Sequence, residues 1–145
     1  MNEHLRALLT SNALIDRVVF SERLEHQFRD AAGREIGTAS VSAGMKQLYA
    51  MAFLWALKDL MDDDLPIVMD SPLARLDREH QERLISDYFP KLARQVILLP
   101  TNSELDRARY ELLRPHVYRQ YRLTIGATGD ETRCVEQDMY VGAQP

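Results

Sequence analysis

Two short, uninterrupted apolar runs constrain this chain more than anything else in it. Ile67-Val68-Met69 and the run within QVILLP (95–100) are each bounded by turn-forming residues, and a helical pattern over 78–93 separates them. Strict alternation of apolar and polar residues would mark a sheet with one wet face. Continuous apolar strands joined through a helix mark a parallel pair with both faces covered. The pattern predicts an α/β fold, a mainly parallel sheet flanked by helices. Ligands of such sheets bind at the carboxyl ends of the strands.

The remaining segments fit around that pair. Leu5, Leu8, Asn12, Ile15 and Val19 recur at spacings of 3, 4, 3 and 4. This a/d rhythm predicts a helix over residues 2–16, either the end of a coiled-coil arm or a plain amphipathic helix. Leu24, His26 and Phe28 then alternate, RDAAGRE supplies a turn at Gly33, and Ile36 opens a second short extended piece. A helix over 44–60 follows, apolar enough to be buried around most of its circumference. DDDLPIVMDSP gives a loop, then a strand with Asp70 at its tip. Asp77 is a good N-cap for the helix over 78–93, and Pro90 is expected to kink it or end it early. A short helix is predicted from Ser103 to about Leu113, and short antiparallel strands in VYRQYRLTI and TRCVEQDMYV, joined through GATGDE. No repeat or linker divides the chain. It reads as one domain, 1–145, in which 1–17 is a candidate end of a coiled-coil arm and 18–145 the α/β unit.

Composition narrows the class. The 145 residues are 46% hydrophobic and 28% charged, as in soluble globular proteins. A net charge of −4 exerts no global pull on nucleic acid. The single cysteine, Cys134, leaves no disulfide framework or multi-cysteine metal site and fits a reducing compartment. MNEHLRALLTSN has no signal-peptide character, and the longest apolar run, Leu48 to Leu57, is too short to span a bilayer. A cytoplasmic location with no membrane contact is expected.

Two short motifs carry chemistry. Ser42-Ala43-Gly44 opens the 44–60 helix with almost no side chains. Its unsatisfied backbone N–H groups, the helix dipole and the Ser42 hydroxyl make an anion site, with Lys46 adding charge. The same residues also read as an ordinary cap. PIVMD delivers a carboxylate at a strand tip, which resembles a Walker B arrangement in which Asp70 would hold Mg²⁺ through its water shell. Asp70-Ser71-Pro72 is equally a plain turn.

Order and spacing tie these pieces together. Ser42-Ala43-Gly44-Met45-Lys46-Gln47 is followed about 25 residues later by Ile67-Val68-Met69-Asp70, then by Leu73-Ala74-Arg75-Leu76-Asp77, then by the strand from Val96 to Thr101. This succession resembles the signature motif, Walker B, D-loop and switch strand in the C-terminal lobe of an ABC/SMC-type P-loop ATPase head. SAGMKQLYAMAFLWAL, DSPLARLDREHQERL and YFPKLARQVILLPTNSEL are similar, more narrowly, to the DndD family, SMC-like ATPases of bacterial DNA phosphorothioation systems. The resemblance covers roughly residues 24–125.

In that family ATP is sandwiched between two heads. The resemblance implies that Ser42, Ala43 and Gly44 meet the γ-phosphate held by an opposite protomer, with Lys46 and Gln47 close by. Asp70 would serve Mg²⁺ in its own head, and Asp77 would lie at the dimer interface near the nucleotide. The residue after the Walker B Asp is usually Glu; here it is Ser71, a poor general base at neutral pH that can still orient a water. Glu79 and His80 are alternative groups, but read first as exposed helix positions. The switch residue, often His, falls at Thr101 or Asn102. G-x-x-x-x-G-K-[ST] does not occur in the sequence.

The implied partners are an N-terminal Walker A lobe, a second head in a homodimer, other sulfur-modification proteins, and DNA through the assembled complex. ATP and Mg²⁺ are the implied cofactors, with no turnover by this chain alone. Three readings stay open: a DndD-like lobe, a lobe of another SMC- or RecF-like repair or defence ATPase, and a non-hydrolysing ATP clamp or interaction module. Arg107, Arg109, Arg114, Arg119 and Arg122, interleaved with Tyr110, Tyr118 and Tyr121, could track a nucleic-acid backbone or simply be a solvated face.

Overall fold

A computed structural model describes residues 1–10, 14–23, 25–61, 65–138 and 140. In chain order the elements are α1 (Asn2–Leu8), β1 (Arg17–Phe20), β2 (His26–Arg29), β3 (Glu35–Ile36), α2 (Ala43–Leu60), β4 (Ile67–Asp70), α3 (Arg78–Arg83), α4 (Phe89–Leu92), β5 (Val96–Leu99), α5 (Arg107–Leu113), β6 (Tyr121–Ile125) and β7 (Thr132–Glu136). A π-helical turn, Leu84–Tyr88, joins α3 to α4. Strands β1, β2 and β3 form an antiparallel meander, β4 and β5 a parallel pair, and β6 and β7 a hairpin.

The α/β class holds, and its parallel part is the β4–β5 pair, in register from Ile67↔Val96 to Asp70↔Leu99. The two apolar runs are covered on one face only. Met69 is buried and Ile67, Val96 and Leu98 are partly buried, whereas Val68, Ile97 and Leu99 stand exposed on the other face. Helix α2 is similarly one-sided. Leu48, Met51 and Ala52 are buried, but Phe53 and Leu57 are exposed and Leu60 is 83% exposed. The expectation of burial around most of its circumference is corrected: the helix has more apolar face than the described residues cover.

The N-terminal helix is much shorter than expected. It stops at Leu8, and Val19 lies in β1, so the 3-4 rhythm is not carried on one helix; Asn12 lies outside the described residues. The reason is local. Arg17-Val18-Val19-Phe20 has β-branched and aromatic residues suited to a strand. Asn2, at the head of α1, grips its backbone, accepting from Val18 N–H at 2.9 Å and donating to the Val18 carbonyl at 3.1 Å. Leu5, Leu8 and Ile15 nevertheless all enter the core.

Gly33 makes the expected turn, with φ +79°, a backbone region that favours glycine. Phe28 is buried in β2 and Ile36 sits in β3, while Leu24 and Asp62 to Asp64 lie outside the described residues. Asp77 caps α3, its carboxylate accepting from His80 N–H at 3.0 Å. Pro90 does not end the helical path early. The π-turn ahead of it widens the backbone spiral, Pro90 takes an early position in α4 where no N–H is needed, and the path continues to Leu92. This brings Leu84, Ile85, Tyr88, Phe89 and Leu92 into one core, where the Tyr88 hydroxyl donates to the Met51 carbonyl at 3.0 Å.

Helix α5 begins at Arg107, not Ser103, because Asp106 caps it and the residues before it are held in a turn. The hairpin matches expectation, pairing Tyr121↔Glu136 through Ile125↔Thr132; Met139 and Val141 lie outside the described residues.

Candidate functional site at the strand ends

The carboxyl ends of β4 and β5 gather most of the residues singled out in the sequence. Asp70 ends β4 and is exposed. Ser71 turns the chain away with φ +48°, left-handed backbone that costs a non-glycine residue about 1 kcal/mol. Two bonds hold it there: its N–H donates to the Leu99 carbonyl at 3.1 Å, and its hydroxyl donates to Asp70 Oδ1 at 3.3 Å. The hydroxyl proton is therefore directed at Asp70.

The head of α2 packs against the segment that follows. Ser42 is the N-cap, its Oγ accepting from Met45 N–H at 3.2 Å, which leaves the Ala43 and Gly44 N–H groups in the unpaired first turn. Gly44 has a structural reason of its own. A Cβ built on it would sit 2.6 Å from the Arg75 carbonyl oxygen, so no side chain fits while that backbone lies there. Gln47 donates its amide to the Pro72 carbonyl at 2.7 Å, and Lys46 is exposed.

Residues 71–77 have no regular structure, yet side chains from three directions hold their backbone. Besides Gln47, Gln81 donates to the carbonyls of Leu73 at 2.9 Å and Leu76 at 3.0 Å. From the exit of β5, Glu104 accepts from Leu73 N–H at 2.8 Å. Asp77 closes the segment, both carboxylate oxygens lying 2.8 Å from His80 Nδ1. That nitrogen faces a carboxylate and so carries the ring proton. The His80 backbone N–H, chief among these contacts, holds the Asp77 carboxyl below its ordinary range. Glu79 is exposed as read, but His80 is only 8% exposed and its Nε2 is buried without a partner, so the ring offers no nitrogen to a solvent-side reaction.

At the exit of β5, Thr101 donates both its N–H and its hydroxyl to Glu104 Oε2, each at 2.8 Å. With that proton committed, the contact of 3.0 Å between Thr101 Oγ1 and Ser103 Oγ has serine as donor. Asn102 is exposed beside them. Sequence reasoning missed Glu104, which is 4% exposed. The signal was present: Thr101-x-x-Glu104 has the spacing at which an acid reaches back to the N–H three residues earlier.

No group of three or more His, Cys, Asp or Glu among the described residues could hold a metal. A lone exposed carboxylate at a strand tip still fits Mg²⁺ held through water, since phosphates and a P-loop hydroxyl supply other ligands of such an ion.

The basic segment is largely self-neutralised. Arg109 pairs with Asp106 at 2.6 Å, Arg114 with Glu111 at 3.5 Å and Arg119 with Glu136 at 3.0 Å. Tyr110 is buried, its hydroxyl bonded to Asp138, whereas Tyr118 and Tyr121 are exposed.

The α/β fold that carries this arrangement is similar to that of SMC ATPase head domains. No family model matches the sequence, and no curated protein does either. Solved structures do. An SMC ATPase studied for ATP-driven dimerisation and DNA-stimulated activation superposes with TM-score 0.59 at 16% identity, over 84% of this chain and 72% of that one. An Smc head bound to the C-terminal winged-helix domain of ScpA gives TM-score 0.65 at 14% identity, over 96% of this chain and 41% of that one. The SMC head domain from Thermotoga maritima gives 0.54 at 19% identity, over 94% and 47%. The chain thus spans less than half the length of two of these heads, and at such identities the likeness is one of fold. No helix among the described residues is long and apolar enough to cross a membrane.

Proposed function

We propose that this chain is the C-terminal lobe of an SMC-type ATPase head and works by closing an ATP-dependent dimer of heads. In this reading Ser42, Ala43 and Gly44 present the α2 N–H groups to the γ-phosphate of a nucleotide bound by another protomer, with Lys46 adding charge. Asp70 holds Mg²⁺ through water within its own head, and Asp77 faces the dimer interface. Gln47, read from the sequence as lying near the nucleotide, also braces the D-loop through Pro72. When bound, Mg²⁺ would neutralise phosphate charge.

One observation carries the proposal: the head of α2 and the segment after β4 meet through the Gly44–Arg75 approach and the Gln47–Pro72 bond, at the ligand-binding end of a parallel pair. The missing P-loop calls for a Walker A lobe as partner. Exposed Val68, Ile97 and Leu99 give that lobe an apolar face to cover. The similarity to DndD, stated above on residues 24–125, makes DNA phosphorothioation the favoured setting, with DNA and the other sulfur-modification proteins met through the assembled complex, in the cytoplasm. Another SMC- or RecF-like ATPase would use the same site.

A non-hydrolysing clamp is the second reading, favoured by Ser71, whose hydroxyl proton is directed at Asp70 where a general base is expected. The test mixes the chain with a Walker A lobe and follows ATP turnover and head dimerisation. The chain alone should turn over no ATP, and the mixture should dimerise with ATP. Ser42→Arg should abolish that dimerisation while the domain stays folded, its melting temperature lowered only by the lost cap. Turnover by the chain alone, or dimerisation of Ser42→Arg, overturns the proposal; dimerisation without turnover selects the clamp.

A further inference from the structure

The exits of β4 and β5 present a pairing problem that the strand ladder does not solve. The last rung runs from Ser71 N–H to the Leu99 carbonyl. Beyond it, the groups that the two exits turn towards each other are both donors, Leu73 N–H on one side and Thr101 N–H with its hydroxyl on the other. Donors cannot pair with donors. Glu104 stands between them, nearly all buried, and divides its oxygens: Oε1 takes Leu73 and Oε2 takes both groups of Thr101.

We infer that Glu104 is a positioning residue that staples the β5 exit to the D-loop segment, so that the placement of Thr101 sets that of Leu73 to Asp77. The chemistry leaves little slack. A buried carboxylate needs its donors, and a buried N–H needs an acceptor. A shift of Thr101 strips two bonds from Oε2, and the rigid carboxyl group carries the change to Oε1 and Leu73. From Leu73 the path continues through Gln81, which holds the carbonyls of Leu73 and Leu76 beside Asp77. Glutamine cannot replace this acid, because its amide nitrogen would face one of the donors. Aspartate is one methylene too short to reach both.

The staple itself is independent of nucleotide. Its consequence, coupling of the switch position to the D-loop during head closure, rests on the function proposed above. Amide hydrogen exchange on the 145-residue chain tests the first part. Glu104→Gln should raise the exchange rates of both Leu73 and Thr101 by about tenfold or more, the scale of one lost charge-assisted bond. Thr101→Val keeps the backbone N–H, removes one of the two bonds to Glu104 together with the Ser103 contact, and should quicken exchange at Leu73 as well as at 101–104. Faster exchange confined to 101–104 in both variants overturns the inference. Should Glu104→Gln also loosen core amides such as Leu48 and Tyr88, Thr101→Val alone decides.

In heads assembled with a Walker A lobe, Glu104→Gln should lower kcat about tenfold with KM for ATP unchanged within about twofold, and Glu104→Asp should not rescue it. An equal rise in KM, or rescue by aspartate, overturns the coupling. If unaltered heads do not close on ATP while Glu104→Gln still frees Leu73, the proposed function fails and the staple stands.

Discussion

Gly44 lies so close to Arg75 that a Cβ on the glycine would come within 2.6 Å of the Arg75 carbonyl oxygen. That neighbour is backbone, at the middle of the segment joining β4 to α3, and cannot swing aside as a side-chain tip can. The helix that offers unpaired N–H groups and the loop that ends at Asp77 therefore occupy one another's contact surface.

Gly44→Ala follows from this directly. Alanine favours a helix over glycine by at most about 1 kcal/mol, while overpacking against fixed backbone costs about 1–3 kcal/mol. The clash should win, lowering the melting temperature by a few degrees and shifting the amide resonances of residues 72–77. An unchanged or higher melting temperature would show that the loop yields freely.

Asp77 gives stability a dependence on pH. Its carboxyl sits below the ordinary range, chiefly through the His80 N–H, so in the unfolded chain it binds its proton at higher pH than in the folded one. The stabilisation is complete above the unfolded value, about 4, and is lost as pH falls through the folded value. The side chain is 66% exposed, so the effect is small and screened by salt. Asp77→Asn keeps the cap and should flatten this part of the acid limb, measured as melting temperature against pH. Identical acid limbs for the two proteins would exclude Asp77 as a contributor.

Tyr88 is fully buried, and burial pushes its phenol well above the usual range. Tyr88→Phe removes the bond to the Met51 carbonyl and leaves the ring packed against Trp55 and Phe89. A loss of about 1 kcal/mol in chemical denaturation is expected, with the native fold retained.

Val68 is 59% exposed on the open face of the β4–β5 pair. Val68→Lys should change the stability of the chain alone by no more than about 0.5 kcal/mol, as surface substitutions do. In a pull-down with a Walker A lobe it should sharply reduce recovery. Full recovery would move the lobe interface elsewhere.

The sequence was most legible where a residue's role is local. The strands around Ile67 and Val96, the caps at Ser42 and Asp77 and the turn at Gly33 depend on neighbours within a few positions. It misled where a periodic pattern was shared by two structures. Leu5, Leu8 and Ile15 keep helical spacing and all reach the core, but Asn2 binds β1 across the chain and no spacing rule encodes that contact. At the candidate site, Asp70 and Asp77 could be picked out by order and distance along the chain. Glu104 could not be given its role, because the N–H it serves at Leu73 lies 31 residues away. The partial cover of α2 and of the strand pair was hidden for another reason: hydrophobicity says that a face must be covered and does not say by which chain.

The open strand face also bears on how such a polypeptide survives its own synthesis. Val68, Ile97 and Leu99 form a sticky strip beside short strands, and a net charge of −4 supplies only mild repulsion between copies. Left waiting, that strip invites the clumping to which exposed apolar strands are prone. A covering surface made in step with this one, in matched amounts, would shorten the wait, so the supply of the two surfaces would govern solubility as much as either sequence does.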